Sequence, residues 1–287
     1  MKNTTLNEAY EDKIDELRHH GSLVNTKTIT GSNKVVEVLN DTTTFNNPYY
    51  IKITNEKRKA SVKYAILEFM WYLSKDTRIY NIGKVASIWK DIADSDGRVS
   101  SNYGPSLHLN WNNTINELTR FPDSRRAVIP IYDGQGAEWY DIKDVPCTMF
   151  VQFLVRDNKL HMVWDMRSSD LIFGFCNDIA VGMLFMQLMH NELCYYDIFK
   201  HLKLGDFTYN TSSLHIYDTH WDLLWAPSEE LFSNISEEKY ELKAGVTWDK
   251  LMEDGMLLSI KDITIEQIYE SVDRFMELYI VGGDFMT

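Results

Sequence analysis

The stretch from Val145 to Ala180 reads VPCTMFVQFLVRDNKLHMVWDMRSSDLIFGFCNDIA, and it decides the fold. Apolar residues alternate with others after Cys147, which predicts a β-strand that starts next to this cysteine. Asp157-Asn158 supplies a turn, and the run from Leu160 to Met166 predicts a returning strand. The first half of the stretch is therefore predicted to be a β-hairpin.

The second half of the stretch predicts a buried helix. After Gly174 the chain is apolar from Ile179 to Met189, and Asp178 stands directly before this run, where an N-cap residue is expected. Cys147 at one strand end, Arg167 at the other and Asp178 at a helix start are thus predicted to face one pocket. Together they would supply a nucleophile, an anion-binding group and a hydrogen-bond acceptor.

These residues carry a family resemblance. Short motifs recur in a fixed order, and they are P-C-T at Pro146, Q-F-x-V-R-D-x-K-L at Gln152, M-R-S-x-D at Met166, F-G-F-x-N-D at Phe173 and S-L-H-I-Y at Ser213. In this order and spacing they resemble the thymidylate synthase superfamily and, within it, the phage-type deoxycytidylate hydroxymethylases. The resemblance extends from about Glu68 to about Tyr217. Residues 1–60 and 225–287 match the family poorly.

The resemblance implies an α+β fold of the thymidylate synthase type. We expect one catalytic domain over residues 1–287, because this length suits one large domain and no linker divides it. A large mixed β-sheet should carry helices on one face and a homodimer interface on the other. Tyr49 to Ile53 also reads as a strand. The final helix is predicted from Ile265 to Tyr279, with Thr264 and Gln267 as a capping box.

Composition narrows the class of partners. No apolar run approaches the ~20 residues of a membrane span, and the start MKNTTLNEAYEDK lacks the apolar region of a signal peptide. Three cysteines are too few for a disulfide framework and lack zinc-ligand spacing, so we expect no metal. A net charge of −13 argues against binding a nucleic-acid polymer. We expect a cytoplasmic protein, in the host cytoplasm if it is phage-encoded.

Cys147 is the predicted nucleophile. The C5 atom of a pyrimidine is a poor nucleophile, and a thiolate added to C6 converts the ring into an enamine-like species that attacks an electrophilic carbon from C5. Arg residues near the thiol favour its ionised form. The resemblance implies that Arg167 binds the substrate phosphate, and that Arg125 and Arg126 reach the phosphate of a neighbouring subunit, because guanidinium fits phosphate with two bonds.

The resemblance assigns further residues of the pocket. It implies that Glu68 orders a water molecule and that the phenol of Tyr103 reaches the site. The remaining substrate contacts that it implies are Ser168, His215, Tyr217 and, from an early loop, Lys27. For the co-substrate 5,10-methylenetetrahydrofolate, it implies contacts from Trp89, Asn102 and Asp170. Ile92 stands where synthases place a second Trp, which departs from the usual folate-stacking arrangement.

Asp178 is predicted to choose the base. It occupies the position where synthases carry the Asn that reads uracil, and a carboxylate accepts hydrogen bonds from the cytosine amino group and a protonated N3. The sequence thus favours hydroxymethyl transfer to dCMP, in which water meets a methylene group on C5. Methyl transfer, to dUMP or to dCMP, is the alternative. A third hypothesis is a homologue that binds nucleotide without catalysis. The presence of the whole set of predicted site residues argues against it.

Overall fold

A computed structural model of the protein describes residues 2–3, 5–26, 34–55, 58, 60–132, 143–226, 238–254 and 263–282. Lys27, one of the predicted substrate contacts, lies outside these ranges.

Ten strands are defined in the described chain. They are β1 Lys2–Asn3, β2 Ser22–Asn25, β3 Lys34–Phe45, β4 Val128–Pro130, β5 Thr148–Arg156, β6 Lys159–Met166, β7 Ser169–Asp170, β8 Lys203–Tyr217, β9 Glu241–Leu242 and β10 Ile280–Val281. Eight of them form one sheet in the order β1-β3-β8-β6-β5-β4, in which β2 pairs with β3 and β7 with β8. Because β8 runs parallel to β6 and antiparallel to β3, the sheet is mixed, as predicted.

The predicted hairpin is present as β5 and β6. Val151 pairs with Trp164 and Val155 with Leu160, so one face of both strands is filled by buried apolar side chains. Asp157 and its neighbour Asn158 both have positive φ angles, 51° and 57°, which is the backbone of a tight hairpin turn. The turn fixes the register, and the register places the residue before β5 beside the end of β6.

Nine α-helices are defined in the same ranges. They are α1 Leu6–His20, α2 Val62–Ser74, α3 Ile82–Val85, α4 Ile88–Ile92, α5 Gly104–Arg120, α6 Gly174–Leu193, α7 Trp221–Trp225, α8 Trp248–Glu253 and α9 Ile265–Tyr279. The central helix α6 is buried over most of its length and packs against β6, β8, α2 and α5. The predicted capping box of α9 is confirmed, since Thr264 and Gln267 bond to each other's backbone N–H. No described helix combines the length and apolar character needed to cross a bilayer.

Two local predictions were wrong. Residues 49–53 form no strand, because the carbonyls of Tyr49 and Tyr50 accept bonds from the backbone N–H groups of Tyr240 and Leu6 instead of from a neighbouring strand. Asp178 is not an N-cap, because α6 begins at Gly174, four residues before it. Its side chain therefore projects from inside the helix.

The two faces of the sheet differ in burial. On β5 the side chains of Val151, Phe153 and Val155 are buried beneath the helices. Phe150 and Leu154 alternate with them on the opposite face and are only half-buried in the single chain. Half-buried apolar side chains on a sheet face are of the kind that a second subunit can bury.

Candidate active site

Cys147 and Arg167 are brought together by the hairpin. Cys147 lies directly before β5 and Arg167 directly after β6, and the N–H of Arg167 donates to the carbonyl of Cys147 at 2.9 Å. The guanidinium is fixed by two carbonyls, with Nε 3.0 Å from Pro146 O and Nη2 2.9 Å from Val145 O. The same Nη2 is 3.4 Å from Cys147 Sγ. The exposed arginine is thereby held with its charge against the half-buried thiol.

Burial and nearby charges have opposing effects on the pKa of the Cys147 thiol. Burial raises the pKa of Cys147 to about 11, and Arg167 opposes this shift without cancelling it. The carboxylates of Asp178 and Asp144 raise the pKa further. In the free protein the thiol is thus mostly protonated at neutral pH, and Arg167 is the group that favours its ionisation.

Asp144 links the segment before Cys147 to the loop that carries Tyr103. Its Oδ2 accepts from the N–H of Ser101 at 2.7 Å, and its Oδ1 accepts from the Ser101 hydroxyl. Tyr103 follows two residues later and is 4% exposed. Burial is the main cause of its raised phenol pKa, followed by the charges of Cys147 and Asp178. The predicted phenol therefore does lie near Cys147.

Asp178 projects from α6 toward β8. Its Oδ2 is 3.2 Å from the hydroxyl of Tyr209, and that hydroxyl is 2.9 Å from Ser169 Oγ. Burial raises the pKa of Asp178 to about 7, Tyr209 lowers it and the charge of Asp170 raises it. The neighbouring Asn177 turns back on its own helix and donates to Phe173 O at 2.9 Å. Of the two adjacent residues, Asp178 is the one that faces the site.

Glu68 lies in the middle of α2 and is 4% exposed. Its Oε1 accepts from the Tyr72 hydroxyl at 3.2 Å, while Oε2 is buried with no partner among the described residues. Burial raises the pKa of Glu68 to about 8, the charge of Asp178 adds to the rise, and Tyr72 opposes it. A carboxyl with this pKa is suited to accept or give a proton near neutral pH.

Asp170, His215 and Tyr217 form another wall of the site. Asp170 on β7 pairs with His215 on β8, and the imidazole ring lies 5.0 Å from the ring of Tyr217. Asp170 Oδ2 accepts from the N–H of Phe173 at 2.7 Å, but the buried Oδ1 has no partner in the described chain. Burial raises the pKa of Tyr217 to about 12, and Asp170, Cys147 and Arg167 contribute smaller effects, which places this phenol near all three.

The side chains of Trp89 and Asn102 form hydrogen bonds to other residues of the chain. The indole N–H of Trp89 donates to Tyr64 at 2.9 Å, and its ring meets the ring of Trp71 edge-on at 4.8 Å. The amide of Asn102 donates to Trp71 O at 3.1 Å and to Asp76 O at 2.9 Å. Both side chains therefore support the wall behind Glu68 in this structure.

Arg125 and Arg126 are not near the Cys147 of their own chain. Both are exposed and precede β4, whose Val128 pairs with Gln152, five residues along β5 from Cys147 and so roughly 17 Å away. Arg126 pairs with Glu117 on α5 at 3.0 Å. Ser168, by contrast, is half-buried directly beside Arg167.

Three side chains of this site were not predicted from the sequence: Tyr209, Asp144 and Tyr72. Tyr209 shares the alternation of β8 with His215, six residues later, and Tyr72 lies one helical turn after Glu68, so both carried a periodic signal. For Asp144, the only signal in the sequence was its position, three residues before Cys147. Across the described ranges, no group of three or more His, Cys, Asp or Glu side chains is arranged to hold a metal ion.

The raised thiol pKa can be measured in the free protein. Alkylation of Cys147 by iodoacetamide should be slow at pH 7 and accelerate with pH toward about 11, because only the thiolate reacts. Comparison with Cys147→Ser removes the contribution of Cys176 and Cys194. Asp178→Asn should shift the curve to lower pH, since it deletes a nearby negative charge. A thiol that titrates below its ordinary pKa of ~8.5 would mean that Arg167 outweighs burial.

Known proteins share the sequence pattern and the fold of this chain. The thymidylate synthase family model matches residues 8–271. The deoxycytidylate 5-hydroxymethyltransferase of Enterobacteria phage T4 is 30% identical, over 72% of this chain and 85% of that protein. Its counterpart from Enterobacteria phage T2 is 31% identical, over 67% and 79%. The structure of thermostable thymidylate synthase A from Bacillus subtilis superposes with a TM-score of 0.64 and 18% identity, over 86% of this chain and 92% of that one, which confirms the fold. The chain belongs to the thymidylate synthase family.

Proposed function

We propose that this enzyme transfers a one-carbon unit from 5,10-methylenetetrahydrofolate to C5 of dCMP and completes the reaction with water, giving 5-hydroxymethyl-dCMP. The observation that carries the proposal is the carboxyl group of Asp178, which faces the site and is held by Tyr209 at 3.2 Å. The names of the phage T4 and T2 relatives support it.

Cys147 begins the proposed reaction. Its thiolate attacks C6 of the pyrimidine, so that an S–C6 bond forms and electron density reaches C5. Arg167 acts twice in this step, because Nη2 lies 3.4 Å from the sulfur and the exposed guanidinium is available to a phosphate. His215 and Tyr217, on the wall that contains Asp170, contact the sugar in this proposal.

The folate site is assigned to the wall that contains Asp170. Its buried Oδ1 has no partner among the described residues, and an N–H donor of a pterin ring would satisfy it. Trp89 and Asn102 support the neighbouring wall behind Glu68 through their internal hydrogen bonds. When bound, the folate supplies a carbon at the oxidation level of formaldehyde.

Glu68 is the proton acceptor for the water that completes the reaction. Water attacks the methylene carbon carried by C5, its proton passes to the Glu68 carboxylate, and expulsion of the Cys147 thiolate restores the C5–C6 double bond. The buried and unpartnered Oε2 of Glu68 supports this role. So does its pKa of about 8, which makes the carboxylate basic enough to receive the proton.

Asp178 recognises cytosine in this mechanism by sharing a proton with N3 of the ring. A carboxyl group with a pKa of about 7 is partly protonated at neutral pH. In the acid form it donates to N3 and accepts from the amino group, and transfer of the proton to N3 leaves a carboxylate that accepts two bonds. The second arrangement strengthens as the ring is activated, so Asp178 stabilises the transition state more than the ground state.

The same pKa keeps methyl transfer as the second candidate. A protonated Asp178 can donate to O4 of uracil and accept from its N3–H, so dUMP also complements the neutral acid. Transfer of hydride in place of water would then give a methyl product, from dUMP or dCMP.

A homodimer with shared sites is part of the proposal. The half-buried side chains of Phe150 and Leu154 on β5 would be covered by a second subunit. Arg125 and Arg126 lie roughly 17 Å along β5 from their own Cys147, so they would bind the phosphate held in the neighbouring subunit.

The product identifies the reaction. With dCMP and methylenetetrahydrofolate, mass spectrometry should show a nucleotide that has gained CH2O, and Cys147→Ser should abolish its formation while nucleotide binding persists. A gain of CH2 would establish methyl transfer instead. Turnover by Cys147→Ser within tenfold of wild type would place the nucleophile elsewhere.

Asp178→Asn should reduce kcat/KM for dCMP far more than for dUMP. The loss of a charge-assisted hydrogen bond costs about 1.5–3 kcal/mol, or one to two decades in kcat/KM. Most of the loss should appear in kcat, because N3 gains its proton as the ring is activated. Asn177→Ala is the matched control and should keep the wild-type preference. A dCMP/dUMP preference that stays within threefold in Asp178→Asn would contradict the proposed role.

Shared sites can be tested with mixed dimers. Cys147→Ser and Arg126→Glu proteins should each be inactive, and mixing them should restore activity, because a hybrid dimer contains one intact site. Glu117→Gln serves as the control, since it breaks the Arg126 ion pair but keeps the arginine. Absence of recovery after subunit exchange has been demonstrated, for example by mass spectrometry of tagged subunits, would argue against the shared site.

A further inference from the structure

Two tyrosines flank Glu68 on helix α2. Tyr64 precedes it by four residues and Tyr72 follows it by four, and residues at this spacing lie on one face of a helix, one turn apart. Both phenols are thus directed to the same side of α2 as the Glu68 carboxyl. The proposed mechanism uses Glu68 but assigns no role to Tyr64 and only a contact to Tyr72.

Tyr72 holds one oxygen of the carboxyl. Its hydroxyl donates to Glu68 Oε1 at 3.2 Å, and this bond favours the carboxylate form. The ring is 1% exposed and is packed against the rings of Tyr103 at 5.2 Å and Phe185 at 6.5 Å. A side chain confined in this way fixes the rotation of the carboxyl and therefore the direction of Oε2.

One turn before Glu68, Tyr64 keeps its hydroxyl proton available. Its oxygen accepts from Trp89 Nε1 at 2.9 Å, which leaves the hydroxyl proton for a different acceptor. Burial and, next, the charge of Glu68 raise the pKa of this phenol, so it remains a donor over the working pH range. Glu68 Oε2 is buried without a partner among the described residues. A water molecule that accepts from Tyr64 and donates to Oε2 would satisfy both groups.

We propose that Tyr64 and Tyr72 are positioning residues that set how efficiently water captures the C5 methylene group, Tyr64 by holding the water and Tyr72 by holding Glu68 as its base. This inference rests on the proposed function and deepens it. It assigns the specificity for a hydroxymethyl product to two phenols beside the catalytic carboxylate.

The atoms and electrons of the capture step balance, and the step involves no oxidation. A water lone pair forms the O–CH2 bond, and the methylene π electrons move into the ring. The water proton passes to Glu68 Oε2. The ring electrons then re-form C5=C6 and break the S–C6 bond, so the thiolate of Cys147 leaves. One lone pair of the water accepts from Tyr64, which leaves the other free for the attack.

The titration of Glu68 determines the expected pH dependence. The groups that face it are Tyr64 and Tyr72 on its own helix and Asp178 on α6, and Asp178 raises its pKa while Tyr72 lowers it. Capture requires the carboxylate, so it should rise with pH through about 8 in the wild type. Removal of the Tyr72 hydroxyl deletes the donor that lowers the pKa. The rise should therefore move to higher pH.

The experiment compares two products of one turnover. Tritium released from [5-³H]dCMP counts loss of the C5 hydrogen, which precedes capture, and 5-hydroxymethyl-dCMP counts capture itself. Above pH 8 the wild type should give a ratio near one, and an excess of tritium should grow as the pH falls and Glu68 is protonated. Tyr64→Phe should release about tenfold more tritium than product even above pH 8, because it loses a donor to the water. Tyr72→Phe should keep an excess of tritium up to a higher pH than the wild type does. The control is Tyr279→Phe, another buried phenol that donates to a carboxylate, Asp254, and its ratio should equal that of the wild type.

A second measurement does not depend on turnover. In the free protein labelled with [δ-¹³C]glutamate, the Glu68 signal, assigned by its loss in Glu68→Gln, should titrate near pH 8 and move upward in Tyr72→Phe. Wild-type titration in Tyr72→Phe together with unchanged ratios in both variants would overturn the inference while leaving the proposed function standing. Since Tyr64 is only half-buried, Tyr64→Phe alone carries the test if Tyr72→Phe does not fold, and an unchanged ratio there also overturns it. A wild type that releases no tritium and forms no product would overturn the function and the inference together.

Discussion

Two buried carboxyl groups, Glu68 and Asp178, impose the constraint on which the rest of the site depends. They lie close enough that the charge of Asp178 raises the pKa of Glu68. Among the described residues, no ion pair includes either of them. Their partners are the hydroxyls of Tyr72 and Tyr209. A buried carboxyl without a cation is stable mainly as the acid, so the pair holds fewer than two negative charges near neutral pH.

The surrounding elements bring neutral donors to these acids. Helix α6 packs on β8, which allows Tyr209 to reach Asp178, and α2 packs on α6, which places Glu68 on the same site. The start of α5 approaches α2 so closely that a Cβ atom on Gly104 would lie 1.7 Å from the carbonyl oxygen of Tyr72. Only glycine permits that approach, and it sets Tyr103, the preceding residue, against the ring of Tyr72.

How much the sequence could predict depended on the range of each interaction. The β5–β6 hairpin and the capping box of α9 follow from neighbouring residues, and both are confirmed. The start of α6 did not follow, because Phe173 at its N-cap offers no capping side chain. Residues 49–53 look like a strand, yet their carbonyls bond to segments distant in sequence. Within the site, too, local contacts could be predicted and contacts distant in sequence could not.

Cys147 and Arg167 could be placed together because a single hairpin joins them. Tyr209 could not be assigned to Asp178, because their contact depends on the register in which β8 runs beside β6, with Trp164 opposite Tyr209. Asp144 and Ser101 meet across 43 residues, and no local pattern reports that contact. Contacts between residues distant in sequence are thus the part of the site that only the structure shows.

In the proposed reaction, the carboxyl pair connects the choice of base to the activation of water. Glu68 must be ionised to accept the water proton, and a negative charge on Asp178 opposes that ionisation. Cytosine relieves the conflict, because N3 takes the proton of Asp178 and the resulting carboxylate is neutralised by the N3–H cation beside it. Uracil has no basic N3, so Asp178 stays protonated to donate to O4, or else ionises without a compensating cation. The buried pair therefore favours water addition when cytosine is bound, and one desolvated environment serves both steps.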